Sequence, residues 1–213
     1  MKRRGRVLPI PFEIAKEFVR EWHYSHRLPM CQHHAIGWFI PGAPRESNLF
    51  GETLYAVGYY GVGVNPHQAK FLSELTGWPV TPDNLVELLR QCRSEPKRDG
   101  YPLTNFMARC FEQLVGFGYE YVIAFSDPNF GHTGGIYKAA NFTHLGQTAT
   151  EWHVVDAAGE IRHRRYVFRY ARRKGLEMKE AREELGLQRI QTLPKDRWIL
   201  RIAKGKIHAA QSV

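Results

Sequence analysis

The sequence predicts a mixed α/β fold in one principal domain. Three observations carry this. Residues Phe12, Ala15, Phe18, Val19 and Trp22 fall on one face of a 3.6-residue period, and so do Leu103, Phe106, Met107, Cys110, Phe111 and Leu114. Tyr121-Val122-Ile123-Ala124-Phe125 is a continuous apolar run, as expected of a strand buried on both faces. Thr150–Val155 and Ile161–Tyr170 flank an Asp156–Gly159 turn and read as a hairpin.

In chain order, the first helix spans Phe12–Trp22 and leaves His23 and Tyr24 at its exit. Ala35–Ile40 and Leu54–Val64 are rich in aromatic and branched residues, are broken by Gly42, Pro44 and Gly51, and read as strands. Gly58, Gly61 and Gly63 point to a bulge or a close backbone approach in the second of them. Asn65–Thr81 reads as loop and short helix. Leu85–Cys92 reads as a strand, with a helix as the alternative for LVELL, and Pro96 as a break. The helix from Leu103 ends at Gly116 and Gly118. Ser126-Asp127-Pro128 then stands at the carboxyl end of the apolar strand, where open α/β sheets place ligands. A short helix Ile136–Ala140, the hairpin, a polar helix Glu177–Leu185 and a strand Trp198–Ile202 complete the pattern. Residues 171–203 read as a C-terminal appendage and 204–213 as a tail.

The 213 residues, 43% hydrophobic and 24% charged, are enough to bury a core and too apolar for disorder. Cys31, Cys92 and Cys110 have no CxxC spacing, so a reducing, cytoplasmic setting is expected. The basic start, Met1–Arg6, precedes an apolar run too short for a signal peptide, and no stretch approaches the ~20 apolar residues of a membrane span. The formal net charge of +9 makes a polyanion the first partner to consider. Its densest source is Arg162 to Lys174. On a strand, Arg162, Arg164, Tyr166, Phe168 and Tyr170 would share one face and His163, Arg165, Val167 and Arg169 the other, with Phe168 in the core. Arg162, Arg164, Arg165, Arg169, Arg172 and Arg173 are the candidate phosphate contacts.

The triplet Glu-Trp-His occurs twice, at 21–23 and 151–153, but the first ends a helix and the second opens a strand, so it is no repeat. His153, with Glu151 beside it, either lines a site as a supporting residue or faces water. His33-His34 and His132 are further imidazoles, and neighbours on a strand point to opposite faces.

Glu87–Leu114 has the layout strand, basic glycine-containing turn, amphipathic helix, and residues 135–142 read GIYKAANF. Both resemble the GNAT acyltransferase superfamily, and that resemblance implies a GNAT-like fold, a mixed, mostly antiparallel sheet flanked by helices. That resemblance implies a donor-binding turn at Arg93, Lys97, Arg98 and Gly100, and a leaving-group acid at Tyr137. The turn departs from the superfamily pattern at Pro102, which has no N–H for a phosphate, so acetyl coenzyme A is not the expected donor.

A more extensive resemblance is to the Mom family of phage DNA-modification proteins, related to the same fold. It rests on EWHYS (21–25), YGVGVNPHQAKFL (60–72), LVELLRQCR (85–93) and YPLTNFMARC (101–110). It continues in FSDPNFGHTGGIYKAANF (125–142), EWHVVDAAGEIRHRRYVFRYARR (151–173) and PKDRWILRI (194–202). The resemblance implies transfer of a carbamoylmethyl group to adenine N6 in DNA, protecting phage or prophage DNA from restriction in the host cytoplasm. It implies iron held by His23, Tyr24 and Asp127, with Ser126 and Tyr137 in the same catalytic group. Imidazole, phenolate and carboxylate are a hard N/O set suited to that metal. The base must leave the stack to react, and Trp22, Tyr24 or Tyr60 are candidates to sandwich it. Two alternatives stay open: a conventional N-acyltransferase using acetyl coenzyme A, and an inert basic DNA-binding module. The group donor and the oligomeric state, a dimer included, are left open as well.

Overall fold

The computed structural model describes residues 5–28, 31–42, 51–63, 65–95 and 97–203. The basic residues 1–4, Pro44, Val64, Pro96 and the tail 204–213 lie outside the described residues. The elements in order are β1 (Arg6–Pro9), α1 (Phe12–Trp22), β2 (Gln32–Pro41), β3 (Glu52–Gly61), α2 (Gln68–Thr76), β4 (Leu85–Arg93), α3 (Leu103–Gly116) and β5 (Tyr121–Ser126). A 3-10 turn (Pro128–Phe130) follows, then α4 (Gly135–Ala139), β6 (Thr143–Gln147), β7 (Trp152–Val155), β8 (Ile161–His163), α5 (Arg165–Lys174), α6 (Met178–Glu184), β9 (Gln188–Gln191) and β10 (Asp196–Arg201). Two sheets result, one of seven strands in the order β1-β2-β3-β4-β5-β10-β6 and one of three in the order β8-β7-β9. The chain divides into two units: Met1–Ala124 with Gly135–His144 and Trp198–Val213, and Phe125–Gly134 with Leu145–Arg197.

In the first unit β1 to β4 pair antiparallel in sequence order. β4 and β5, joined through α3, pair in parallel over only Leu85↔Tyr121 to Glu87↔Ile123. The apolar run of β5 is what that position needs: Tyr121, Val122, Ile123 and Ala124 are fully buried. Alternation along the strands builds two cores. Ile36, Trp38, Ile40, Tyr60 and Val86 pack with Phe106, Met107, Cys110 and Leu114 of α3. Ala35, Val57 and Tyr59 pack with Ala15, Phe18 and Val19 of α1. The expected glycine roles hold: β3 shifts register against β4 between Tyr59 and Tyr60, and a Cβ on Gly61 would collide with the Cys31 carbonyl oxygen.

The second unit carries the expected hairpin, but the second arm ends early. β7 and β8 pair antiparallel, Val155↔Ile161 to His153↔His163, and from Arg165 the chain is helical rather than extended to Tyr170. Val167 and Ala171, four apart, are buried with Val154, Ala181 and Leu187, and Tyr170 packs beside them. That spacing closes a core only on a helix. Two expectations fall with the strand. Arg162 on β8 and the aromatics 166–170 on α5 are not alternate residues of one strand, although the Arg162 guanidinium lies over the Tyr166 ring at 5.1 Å, and Phe168 is 55% exposed instead of in the core. The polar helix forms as α6, with Glu177 at its N-cap in a reciprocal capping box with Glu180. The strands β1, β6 and β9 were not expected; none exceeds five residues, too short for a period to show. No described helix is long and apolar enough to cross a membrane.

Candidate functional site

In the first unit, α1 ends at Trp22 because the chain turns extended at its cap, His23. The His23 ring is buried, its Nδ1 lies 2.8 Å from Ser25 Oγ and takes the Ser25 N–H at 3.2 Å. Tyr24, 45% exposed, lies with its ring centroid 4.3 Å from that of His23. Tyr137 on α4 packs against Phe142 and Trp198. Burial, then the nearby Tyr24 and Glu87, push the Tyr137 phenol well above its usual range, so its proton stays on at neutral pH. Burial also lowers the Arg90 guanidinium, against the pull of Tyr24 and Glu87. Two residues from distant parts of the sequence, Tyr24 and Tyr137, are thus brought within electrostatic reach, and Glu87 acts on Tyr137 and on Arg90 as well.

Glu87 also lines a small cavity of about 90 Å³ with Gly63, Gln68, Leu85 and Ile123. Gly63 leaves room for both side chains: a Cβ would lie 2.5 Å from Glu87 Oε2 and 2.6 Å from Gln68 Oε1, so both side-chain ends would have to move. Glu87, Arg90 and Gln68 had no functional reading in the sequence, because a strand carboxylate gives no local sign of what it faces. Tyr60 is fully buried and offers no ring to a base, which removes it as a stacking candidate; Trp22 leans on Phe18.

The turn before α3 is internally committed. The Arg98 N–H donates to Tyr55 Oη at 3.0 Å, the Arg98 guanidinium donates to the Pro41 carbonyl at 3.0 Å, and the Tyr101 N–H donates to the Arg98 carbonyl. Arg93 pairs with Glu95 at 3.1 Å, and Gly100 takes a positive φ of 82°. Pro102 at the N-cap has no N–H, and the Asn105 N–H donates to the Pro102 carbonyl at 3.0 Å.

In the second unit, Asp127 caps the 3-10 turn, and both it and Ser126 are buried. Asp127 Oδ1 accepts from the Asn129 backbone N–H at 3.1 Å and from Asn129 Nδ2 at 2.7 Å, while Oδ2 faces Lys195 Nζ at 3.0 Å. Burial would raise this carboxyl, but the Asn129 hydrogen bonds and the Lys195 charge outweigh it and hold it below the usual range. Asn129 is itself fixed on the Leu193 backbone. Lys195 sits in the PKDRW block of the chain, yet nothing in its local sequence ties it to Asp127.

His153 lies within electrostatic reach of Asp127, Lys195, Glu151 and Arg164. His163, opposite it on β8, has its ring centroid 4.9 Å away.

The six candidate arginines fare differently. Arg162 is neutralised by Glu160 at 2.6 Å and Asp156 at 3.5 Å. Arg164 lies over the Trp152 ring. Arg165, Arg169, Arg172 and Arg173 form a stripe along α5 around Phe168, lining an open groove of about 630 Å³, and make no ion pair among the described residues.

The fold is of the mixed α/β class, and the solved structures it is similar to include acetyltransferases. Similar structures include FeeM, an N-acyl amino acid synthase from uncultured soil microbes, at 13% identity and TM-score 0.45 over 93% of this chain and 96% of that one. An aminoglycoside 6'-acetyltransferase type Ii is 8% identical with TM-score 0.48 over 94% and 99%. A Bacillus subtilis acetyltransferase in complex with CoA is 11% identical with TM-score 0.42 over 92% and 98%. Likeness at these levels is one of shape and carries nothing about substrate. The search for similar curated proteins found no match. The chain belongs to the Mom protein family, whose model matches residues 4–211.

Proposed function

We propose that this chain is a DNA-modifying transferase that places a carbamoylmethyl group on adenine N6, shielding phage DNA from restriction. Family membership supports the reaction. The geometric observation that carries a DNA substrate is the α5 stripe, four arginines with no acidic partner among the described residues. A solvated face that mixed both signs would not repay a polyanion in this way. A base reaches the chemistry by leaving the stack, and Phe168, exposed amid the arginines, is placed to hold the opened strand.

In the transfer, an N6–carbon bond forms as the donor's bond between that carbon and its leaving group breaks, one N6 proton passes to water, and the leaving group departs protonated. Tyr137, kept protonated by burial, is the group to supply a proton to that leaving group. Asp127, ionised and held by Asn129 and Lys195, comes into this reading through the family resemblance alone. The iron set implied by the family does not fit Asp127 as it stands, since Asn129 engages one oxygen and the Lys195 ammonium the other. No step is therefore assigned to iron.

The test is mass spectrometry of nucleosides from DNA of bacteria expressing the chain. N6-carbamoylmethyl-adenine is expected with the wild type and lost with Asp127→Ala and Tyr137→Phe. Unmodified DNA from wild-type cells, or full modification by both variants, would refute the proposal.

A further inference from the structure

The three-stranded sheet of the second unit gathers a carboxylate and two imidazoles that the proposed reaction does not use. Glu151 precedes β7, His153 lies within it, and the antiparallel register sets His163 of β8 directly opposite His153. Register partners project to the same side of a sheet, so these rings meet by construction. Their planes are 78° apart. One ligand atom from each of Glu151, His153 and His163 lies within 4.8 Å of the other two. His163 Nε2 to Glu151 Oε2 is 3.7 Å, beyond hydrogen-bonding distance.

A second observation concerns His153 alone. Its Nδ1 is buried and has no hydrogen-bond partner among the described residues. A buried ring nitrogen without a partner is costly and calls for an explanation, and a cation at the cluster is one. Two imidazoles and one carboxylate are the donor set of first-row transition ions; Ca²⁺ and Mg²⁺ prefer more oxygens.

We propose that Glu151, His153 and His163 form a binding site for a divalent transition-metal ion, built from residues other than His23, Tyr24 and Asp127. The site has a structural consequence. The Arg165 N–H, first of α5, donates to His163 Nδ1 at 3.1 Å, which leaves the ring proton on Nε2. Coordination through Nε2 shifts that proton to Nδ1 and turns the Arg165 N–H away from it. Metal binding is thereby coupled to the first turn of the arginine helix. Asp127 nearby favours a cation while Lys195, Arg164 and Arg165 oppose it, and Lys195 is itself engaged by Asp127.

The experiment is titration of the purified, chelator-stripped full chain with Co²⁺ and Zn²⁺, read by cobalt absorption and calorimetry. One equivalent is expected to bind. Affinity should fall at least ~10-fold in His153→Ala and His163→Ala and weaken in Glu151→Gln, with His23→Ala unaffected. Zn²⁺ should raise the Tm of the wild type and not of His163→Ala, which separates lost binding from lost folding. Wild-type protein that takes up neither ion, or site variants that bind as the wild type does, would overturn the site. Either result leaves the nucleoside assay, and so the DNA reading, to stand or fall separately.

Discussion

Lys195 Nζ lies 3.0 Å from Asp127 Oδ2, and the other carboxylate oxygen is taken by Asn129. This pairing sets what Asp127 is: an ionised group fixed in place. Lys195→Met should therefore lower stability near pH 7 by about 1 kcal/mol, discounted because the lysine reaches solvent. In a double-mutant cycle with Asp127→Asn, measured by urea unfolding, the two effects should fall short of their sum. Additive effects would mean that the pair is not coupled.

The α5 stripe predicts a salt dependence. Fluorescence anisotropy with a labelled oligonucleotide between ~50 and ~200 mM salt should give a log–log slope that drops by about 1 for each of Arg165→Ala, Arg169→Ala, Arg172→Ala and Arg173→Ala. Arg162→Ala should leave the slope unchanged, because Glu160 and Asp156 already neutralise that charge.

Phe168 and its neighbour Val167 should respond oppositely. Phe168→Ala is expected to change stability by less than ~0.5 kcal/mol while weakening DNA binding. Val167→Ala removes a fully buried side chain from the small core and should cost about 1 to 2 kcal/mol. Thermal unfolding with the same anisotropy assay reads both, and a severe loss of stability in Phe168→Ala would place that ring in the core after all.

His34 predicts a pH effect in the first unit. Its ring stacks on Phe117 at 4.5 Å and meets Tyr119 Oη at 3.2 Å, and burial, with neighbouring His33, lowers its pKa. The folded state therefore binds a proton less readily than the unfolded chain. The stability this represents is present above the unfolded value of about 6.5 and is lost as pH falls through the folded value. The wild type should lose more Tm between neutral and mildly acid buffer than His34→Asn does, measured by circular dichroism.

Much of the frame was legible because its residues had one reading. The face of Phe12–Trp22 and that of Leu103–Leu114 each fit only a helix, and Tyr121–Ala124 fits only a buried strand. Arg165–Tyr170 read as the end of a strand, and there the local pattern misled. Its aromatic and branched residues suit a strand, and Val167, Tyr170 and Ala171 also suit a helix. Packing against Ala181 and Leu187, far along the chain, selected the helix and turned the arginines into one stripe.

The candidate site divides along the same line. Local chemistry in the sequence pointed to Asp127 at a strand end and to His153 beside Glu151, whereas His23 and Tyr24 were singled out only by the resemblance of EWHYS to the Mom family. Tertiary structure alone decided that Asp127 meets Lys195, that Tyr137 lies within reach of Tyr24 and Glu87, and that His163 faces His153. Residue type and spacing encode backbone periods, which act over a few residues. The neighbours that set a carboxylate's charge or complete a ligand set come from strand register and helix packing, which join residues far apart in the chain.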